Sequence, residues 1–152
     1  MNKGTDMARV STYLNFPSKT EEAFLFYKEV FGTEFIAQID RMGDVPVDPS
    51  MPELTDEEKN LVMNVQLPIL AGHVLMGTDT LEKWGHTFTA GNNVSINLEP
   101  DTLAEGQRIF DQLSTGGTEI NALQKMFWGD HWGSFVDKFG TRWMMNCTDT
   151  ST

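Results

Sequence analysis

Histidine and cysteine, the side chains that most often bind metals or act as nucleophiles, are few in this chain and widely separated. The histidines are His73, His86 and His131, and no His-x-x-x-His or His-x-x-Glu spacing occurs among them. His131 lies beside Asp130, between Trp128 and Trp132. It is either an acid or base in a pocket or a hairpin-loop residue bonded to the backbone, and we keep it as the only candidate catalytic residue. Cys147 has no basic neighbour and is interpreted as a strand residue.

Aromatic side chains concentrate in the segment 127–147, which holds three of the four tryptophans. A turn at 137–140 separates two apolar runs, 134–136 and 143–145, a pattern typical of a β-hairpin. Gly140 in this turn is free to adopt a positive φ. The sequence therefore predicts an aromatic hairpin, whose side chains either fill the core or a dimer interface or line a pocket for a flat apolar ligand.

Polar and apolar residues alternate along the two strands predicted near residues 10–16 and 93–99. The apolar set is expected to face helices, and the polar set is expected to face the other side of the sheet. The apolar set is Val10, Leu14, Val94, Ile96 and Leu98, and the polar set is Ser11, Tyr13, Asn15, Ser95 and Asn97. A groove with a polar floor and an aromatic rim suits a small molecule with an oxygen or amide. The candidate ligand-binding residues are Tyr13, Asn15, Met76, Asn97, Phe127, Trp128, Trp132, Trp143 and Met144.

The composition restricts the partners. The formal net charge is −11, from 11 basic and 22 acidic residues. Such an acidic surface repels phosphate backbones and anionic lipids, so nucleic acid and membrane surfaces are not expected as partners. No apolar run approaches the roughly 18 residues of a membrane-spanning helix, and the N-terminus lacks the apolar core of a signal peptide. One cysteine excludes an internal disulfide framework, so we expect a cytoplasmic protein.

Hydrophobic periodicity, caps and turn residues define the order of the elements. Helices are expected from Ser18 or Thr20 to Phe31 and from about 100 to 115, each followed by glycine. Strands are expected at 10–16, 33–39, 61–69, 73–77, 93–99 and 118–124, followed by the aromatic hairpin. The segment 43–59 contains three prolines and an acidic run, and is either a solvated connector or a lid over a pocket.

The order strand, helix, three strands occurs twice, and residues match between the two halves. Val10-Ser11 and Leu14 match Val94-Ser95 and Leu98, at a spacing of 84 residues. Phe26 falls where Phe110 falls, and Gly32-Thr33-Glu34 matches Gly117-Thr118-Glu119 after one inserted residue. Several matches in register with the same elements favour an internal duplication.

The duplicated order and several motifs make the chain similar to a known superfamily. The motif segments are Tyr13–Phe16, Glu21–Gly32, Val74–Asp79, Phe127–Gly129 with Gly133, and Asp137–Asn146. With these, the chain resembles the vicinal oxygen chelate superfamily, which includes glyoxalase I, bleomycin-resistance proteins and extradiol dioxygenases. More closely it resembles the PhnB-like branch, whose members have been labelled 3-demethylubiquinone methyltransferase-like.

The resemblance implies an α+β fold of two βαβββ modules, with a curved mixed sheet, a concave groove and helices on the outer face. It also implies a homodimer. The expected divisions are an N-terminal tail at 1–8, module 1 at 9–79 with a loop at 43–60, a linker at 80–92, module 2 at 93–148 and a C-terminal tail at 149–152.

Enzymes of this superfamily hold a divalent metal on the first and last strand of each module. The corresponding positions here are Ser11, Ser95, Leu75 or Met76, and Met144 or Met145, none of which is a usual ligand for such an ion. A divalent metal cofactor is therefore not expected. Methyl transfer is also disfavoured, because no Gly-rich strand-to-helix turn of the G-x-G-x-x-G type occurs.

These observations give three hypotheses about function. The first is a metal-free protein that binds a small molecule in an aromatic-lined groove. The second is a glyoxalase-like enzyme acting on a small oxygenated substrate, with a non-standard metal set or with His131 and Asp130 as acid and base. The third is an interaction module without a ligand. Whether the chain is an enzyme stays open at this point.

Overall fold

The computed structural model describes residues 8–148. Within this range lie eight strands and three α-helices. Their bounds, in chain order, are β1 Thr12–Phe16, α1 Thr20–Phe31, β2 Asp40–Arg41, α2 Asp56–Lys59, β3 Val62–Pro68, β4 Val74–Asp79, β5 Ile96–Leu98, α3 Leu103–Ser114, β6 Thr118–Lys125, β7 His131–Val136 and β8 Arg142–Cys147. In the described part of the chain no helix is long and apolar enough to span a membrane.

The strands form two sheets with the same order. The first sheet runs β1-β4-β3-β2 and the second runs β5-β8-β7-β6. In each sheet the first strand pairs in parallel with the last strand of the same module, and the other pairs are antiparallel. Thr12 pairs with Leu75, and the repeat partner Ile96 pairs with Trp143. The α+β fold of two βαβββ modules is thus confirmed.

The chain divides into two compact units, and the boundary between them passes through α1. Unit 1 contains the residues up to Phe24 and Thr33–His86, and unit 2 contains Leu25–Gly32 and the residues from Thr87 onward. The module limits 9–79 and 93–148 stay a prediction. Except for Ala8, the predicted tails at 1–8 and 149–152 lie outside the described residues.

The core of unit 1 lies between the start of α1 and one face of the first sheet. Gly77 on β4 permits this approach, because a Cβ there would lie 2.5 Å from the Phe24 ring. The buried Asp79 accepts hydrogen bonds from the backbone N–H groups of Thr20 and Val62, at 3.0 and 2.8 Å. Both of its oxygens therefore satisfy backbone donors, one of them at the first residue of α1.

The core of unit 2 lies between the second sheet and both α3 and the later part of α1. Gly106 on α3 makes room for the sulfur atoms of Met145 and Cys147 on β8. The fully buried Trp143 makes ring contacts with Tyr27 and Phe31 of α1, at centroid distances of 5.7 and 5.9 Å. Aromatic packing on α1 therefore accounts for Trp143, a tryptophan of the predicted hairpin.

A buried carboxylate organises the turn of this hairpin. Asp137 accepts the Tyr27 hydroxyl at 2.6 Å and the Trp143 indole N–H at 2.9 Å. Its other oxygen accepts the backbone N–H groups of Phe139 and Thr141. Gly140 closes the turn with a φ of 93°, as the sequence predicts. The hairpin of β7 and β8 is confirmed, in register from His131–Cys147 to Val136–Arg142.

Two local expectations are wrong. Residues 33–39 form no strand, and only Asp40–Arg41 pair with β3. The segment instead lies beside β3 through single contacts, such as the Ile36 N–H bond to Gln66 O at 3.0 Å, because it bends at 36–37. Val10 and Val94 do not face helices; they lie before β1 and β5, and their side chains are exposed.

The proline-rich loop at 43–60 is held by polar contacts. It contains α2, whose N-cap Thr55 and Glu58 form a capping box. Lys83 donates to the carboxylate of Glu58 at 2.6 Å and to the carbonyl of Glu53 at 2.9 Å. The loop is thus attached to Lys83, which lies in the predicted linker 80–92, and its role as a lid stays a prediction.

Candidate functional site

The face of the second sheet that points away from α3 carries a cavity of about 180 Å³ within unit 2. We call this face the open face of unit 2; it displays Asn97, Asn121, Trp132, Ser134 and Met144. The cavity is lined by Ser95, Glu119, Asn121, Trp132, Ser134, Phe135, Arg142, Trp143 and Met144. The side chains of Phe135 and Trp143 are buried, so the indole of Trp132, the thioether of Met144 and several hydrogen-bonding groups surround a space large enough for a single ring.

Strand alternation on β7 and β8 places these side chains. Trp143, Met145 and Cys147 are buried against the helices, so Arg142, Met144 and Asn146 point to the other face and are half-buried. On β7, opposite Met144, Ser134 faces the same side, with Trp132 two residues away. The alternate residues of this hairpin therefore form two faces, one apolar face packed against the helices and one polar face on the other side.

Two irregularities in β6 complete the cavity wall. Between Thr118 and Asn121, and again between Asn121 and Gln124, three steps along β6 correspond to two steps along β7. Each extra residue is a β-bulge, which twists the strand and redirects its side chains. As a result Asn121 lies opposite Ser134 and Gln124 lies opposite Trp132, all directed to the open face. The Asn121 amide donates to the Ser134 hydroxyl at 3.0 Å.

A charged pair lies at the edge of the cavity. Arg142 donates through Nη2 to both oxygens of Glu119, at 3.1 and 3.4 Å, and through Nε to the carbonyl of Gly91 at 3.4 Å. Glu119 has a φ of 48°, a left-handed conformation that costs a residue with a side chain roughly 1 kcal/mol. The bulge that strains Glu119 thus also holds its carboxylate near Arg142.

The predicted ligand-binding residues fall into three groups. Asn97, Trp132 and Met144 lie on the open face of unit 2, and Trp132 and Met144 line the cavity. In unit 1, Tyr13 pairs with Met76 and Asn15 with Thr78, on the sheet face away from Phe24. Of the remaining residues, Phe127 and Trp128 are exposed in the connection between β6 and β7, and Trp143 lines the cavity although its side chain is wholly buried. Ligand contact by all nine stays a prediction.

His131 lies at the end of β7, directly opposite Cys147 on β8. Cys147 faces α3 through its contact with Gly106, so His131 is directed to the helix side, away from the cavity. Its Nδ1 is buried without a hydrogen-bond partner among the described residues. Asp130 instead accepts from the amide of Asn146 at 2.9 Å. The structure therefore does not bring His131 together with the cavity residues.

Burial raises the pKa of the Cys147 thiol, and the charge of Asp130 raises it further. The thiol form, which is a poor nucleophile, is therefore favoured at neutral pH. Cys147 is a packing residue under α3, in agreement with the expectation that it is a strand residue.

The residues at the superfamily's metal positions do not fit a divalent ion. Ser11 donates its hydroxyl to the sulfur of Met76 at 3.5 Å, and Met145 is fully buried against Gly106. Hydroxyl and thioether groups are poor ligands for hard or borderline divalent ions. Within residues 8–148 no group of three or more His, Cys, Asp or Glu side chains is arranged to hold a metal ion.

Six lining residues are absent from the candidate ligand-binding residues. They are Ser95, Glu119, Asn121, Ser134, Phe135 and Arg142. Asn121 and Glu119 depend on a bulge that leaves no clear pattern in the sequence. Ser134 and Arg142, however, lie at even spacing from Trp132 and Met144 on the predicted hairpin, so period-two alternation could have identified them.

Comparison with known proteins gives relatives that cover nearly the whole chain. Protein PA1353 from Pseudomonas aeruginosa is 29% identical, with a TM-score of 0.78, over 95% of this chain and all of that chain. Protein YjdN from Escherichia coli (strain K12) is 27% identical over 90% of this chain and 93% of that protein. A PhnB protein from Bacillus cereus is 25% identical, with a TM-score of 0.71, over 93% of this chain and all of that chain.

More distant structures share the fold. A glyoxylase/bleomycin resistance protein/dioxygenase domain from Frankia has a TM-score of 0.60 at 10% identity, over 97% of this chain and 96% of that chain. The family described as 3-demethylubiquinone-9 3-methyltransferase matches residues 8–146. The chain therefore belongs to this PhnB-like family and shares the glyoxalase/bleomycin resistance/dioxygenase fold.

Proposed function

We propose that this protein binds a small organic molecule on the open face of unit 2. The observation that carries the proposal is the cavity of about 180 Å³, which combines the indole of Trp132 with hydrogen-bonding groups on neighbouring strands. Binding sites for small molecules characteristically combine apolar surface with a few convergent polar groups.

The lining chemistry indicates a planar ligand with hydrogen-bonding substituents. Trp132 is half-buried, so part of its ring is free to stack with a ligand ring. Met144 supplies a polarisable, adaptable contact. The Asn121 amide donates to the Ser134 hydroxyl at 3.0 Å. A ligand amide or carbonyl could replace this hydrogen bond with hydrogen bonds of its own to both side chains, so that neither is left unpaired.

We further propose that binding requires no divalent metal. The support is the residue chemistry of Ser11, Ser95, Met76 and Met144, which disfavours such an ion. No methyl-transfer step is proposed, although the family description names one. That description carries no activity by itself, because one fold hosts many reactions.

A homodimer in the cytoplasm belongs to the same proposal. Exposed apolar side chains in unit 2, including Val94, Ile120, Phe127 and Trp128, would be covered in a dimer interface. Sedimentation equilibrium would test this state, and a monomer at micromolar concentration would contradict it.

The proposal is tested by a thermal-shift screen of single-ring aromatic amides and acids, on wild-type protein and two tryptophan variants. Trp132→Leu is expected to abolish the stabilisation by any hit. Trp128→Leu, which changes an exposed tryptophan outside the cavity, is expected to retain it. Equal loss in both variants, or retention by Trp132→Leu, would remove this cavity as the site. Mass spectrometry of the tag-free protein supplies the metal content, and a stoichiometric divalent metal would contradict the metal-free proposal.

A further inference from the structure

We infer that the ligand carries a carboxylate, and that Arg142 binds this group after it replaces Glu119. This inference rests on the proposed function, since it concerns the same cavity. It assigns Arg142 as the residue that recognises ligand charge and Glu119 as the internal competitor of the ligand.

The geometry of three arginine–glutamate pairs in the chain carries the inference. In unit 1, Arg41 holds Glu21 with two nitrogens on two oxygens, at 2.6 and 3.0 Å. On α3, Arg108 holds Glu105 in the same way, at 3.2 and 2.5 Å. These are two-pronged pairs, the strongest arrangement of guanidinium and carboxylate.

The pair on the open face is built differently. Arg142 offers the single nitrogen Nη2 to both oxygens of Glu119, at 3.1 and 3.4 Å, so the two-pronged geometry is not formed. The Arg142 side chain is only 25% exposed, whereas that of Glu119 is 63% exposed. The guanidinium is therefore the more buried partner, in the cavity wall, and the exposed carboxylate that pairs with it is the partner that a ligand could replace.

The pKa values of the other two pairs agree with their tighter geometry. Hydrogen bonds from Arg41 and Arg108 lower the pKa values of Glu21 and Glu105 respectively. Those carboxylates are held firmly by their own arginines. They lie outside the cavity and serve as matched controls for Glu119.

The backbone of Glu119 favours its replacement. Its φ of 48° places it on a β-bulge at the edge strand β6, where few ladder hydrogen bonds resist a local shift. A ligand carboxylate that accepts hydrogen bonds from two nitrogens of Arg142 would have better geometry than Glu119, which accepts from one nitrogen only. The Glu119 side chain would then be released to water. An aromatic ring attached to the acid would then lie toward Trp132 and Met144, which line the same cavity.

The test uses benzoate and its neutral isostere benzamide as probes, with binding followed by NMR titration of the full chain at constant ionic strength. Glu119→Gln is expected to tighten benzoate binding about tenfold, because the competing charge is lost, and to change benzamide binding by less than twofold. Arg142→Gln is expected to weaken benzoate binding about tenfold while benzamide binding stays within twofold. Glu105→Gln and Arg108→Gln, on α3, are expected to change neither.

The outcomes separate this inference from the function on which it rests. Benzamide binding at Trp132, with benzoate affinity unaffected by Glu119→Gln and Arg142→Gln, would overturn the carboxylate assignment and leave the site standing. A phenylphosphonate affinity tenfold above that of benzoate would overturn it in favour of a tetrahedral anion. If neither benzoate nor benzamide perturbed the Trp132 indole signal in any variant, the cavity itself would lose its role.

Discussion

A helix packs closely on a strand in both units, α1 on β4 in unit 1 and α3 on β8 in unit 2. In each case a glycine permits the close contact, but the glycine lies on the strand in one unit and on the helix in the other. In unit 1 the glycine is on the strand, where Gly77 faces Phe24 of the helix. In unit 2 the glycine is on the helix, where Gly106 faces Met145 and Cys147 of the strand. The two units thus share the topology and the close packing, while the large and small side chains lie on opposite partners.

The open faces differ in a similar way. Met76 and Met144 occupy matching positions, paired with Tyr13 and Asn97 respectively. The edge strands diverge: β2 has two residues and leads into the long loop, whereas β6 has eight residues and two bulges. The edge strand β6 supplies the Glu119 carboxylate and the Asn121 amide of the cavity in unit 2, while Arg142 comes from the central strand β8.

The largest expected effect comes from filling the glycine positions. Gly77→Ala places a Cβ 2.5 Å from the rigid Phe24 ring and should lower the free energy of unfolding by about 2–3 kcal/mol. Gly106→Ala places one 2.3 Å from the Cys147 sulfur, but alanine gains up to about 1 kcal/mol of helix propensity, so the net loss should be smaller. Urea denaturation measures both.

Second-site changes sharpen this contrast. Cys147→Ala should recover most of the loss in the Gly106→Ala background, and Phe24→Leu should recover part of it in the Gly77→Ala background. Neither should rescue the glycine of the other unit, because the contacts lie within separate units. Equal rescue by either change would show that the clashes are not local.

The next effect distinguishes the two buried carboxylates. Asp79 and Asp137 both accept backbone N–H groups, but Asp137 also accepts the Tyr27 hydroxyl. Burial raises the pKa of Tyr27 well above its ordinary value, with further contributions from the charge and hydrogen bond of Asp137. The folded state therefore keeps this proton at pH values where the unfolded state loses it. The resulting stability is fully present below pH about 10 and declines as the pH rises above 10 toward the folded-state pKa.

Tyr27→Phe isolates this term. It should cost about 1.5 kcal/mol at pH 8, where the hydroxyl bond to Asp137 is lost, and should reduce the decline of stability between pH 10 and 11. Tyr13→Phe, at the exposed tyrosine of unit 1, should keep the wild-type decline. Urea denaturation across this pH range would contradict the account if both variants declined equally.

The smallest expected effect concerns stability at the charged pairs. Glu119→Gln should change the free energy of unfolding by less than about 0.5 kcal/mol, because its exposed and loosely paired carboxylate contributes little. Glu21→Gln should cost somewhat more, since it removes a two-pronged pair. A larger cost for Glu119→Gln would show that Glu119 stabilises the fold and is not a readily replaced partner of Arg142.

The sequence predicted most of the fold because its signals are local. The acidic first turn and Gly32 define α1, and Thr102 defines the start of α3, where its hydroxyl accepts the Glu105 N–H. The strand predicted at 33–39 was wrong, because β-branched side chains favour an extended strand but do not guarantee that a neighbouring strand pairs with it. Its ladder is replaced by isolated bonds to β3, such as that of Ile36.

The site was less predictable for a different reason. Trp132 and Met144 were identified by type, yet the same argument included Trp143, whose burial depends on packing against Tyr27 and Phe31. Glu119 and Asn121 reach the cavity through bulges, which depend on how β6 pairs with β7. Residue type therefore predicted the chemistry of the face, and strand pairing determined which residues form it.

The central claim is that the open face of unit 2 binds a small molecule, and the four tryptophans offer a direct test. An NMR titration with benzamide would follow the indole N–H signals of Trp84, Trp128, Trp132 and Trp143 together. The account predicts saturable shifts at Trp132, with little change at the exposed Trp128 or at Trp84 in unit 1. Shifts at Trp128 or Trp84 with Trp132 unchanged would contradict it.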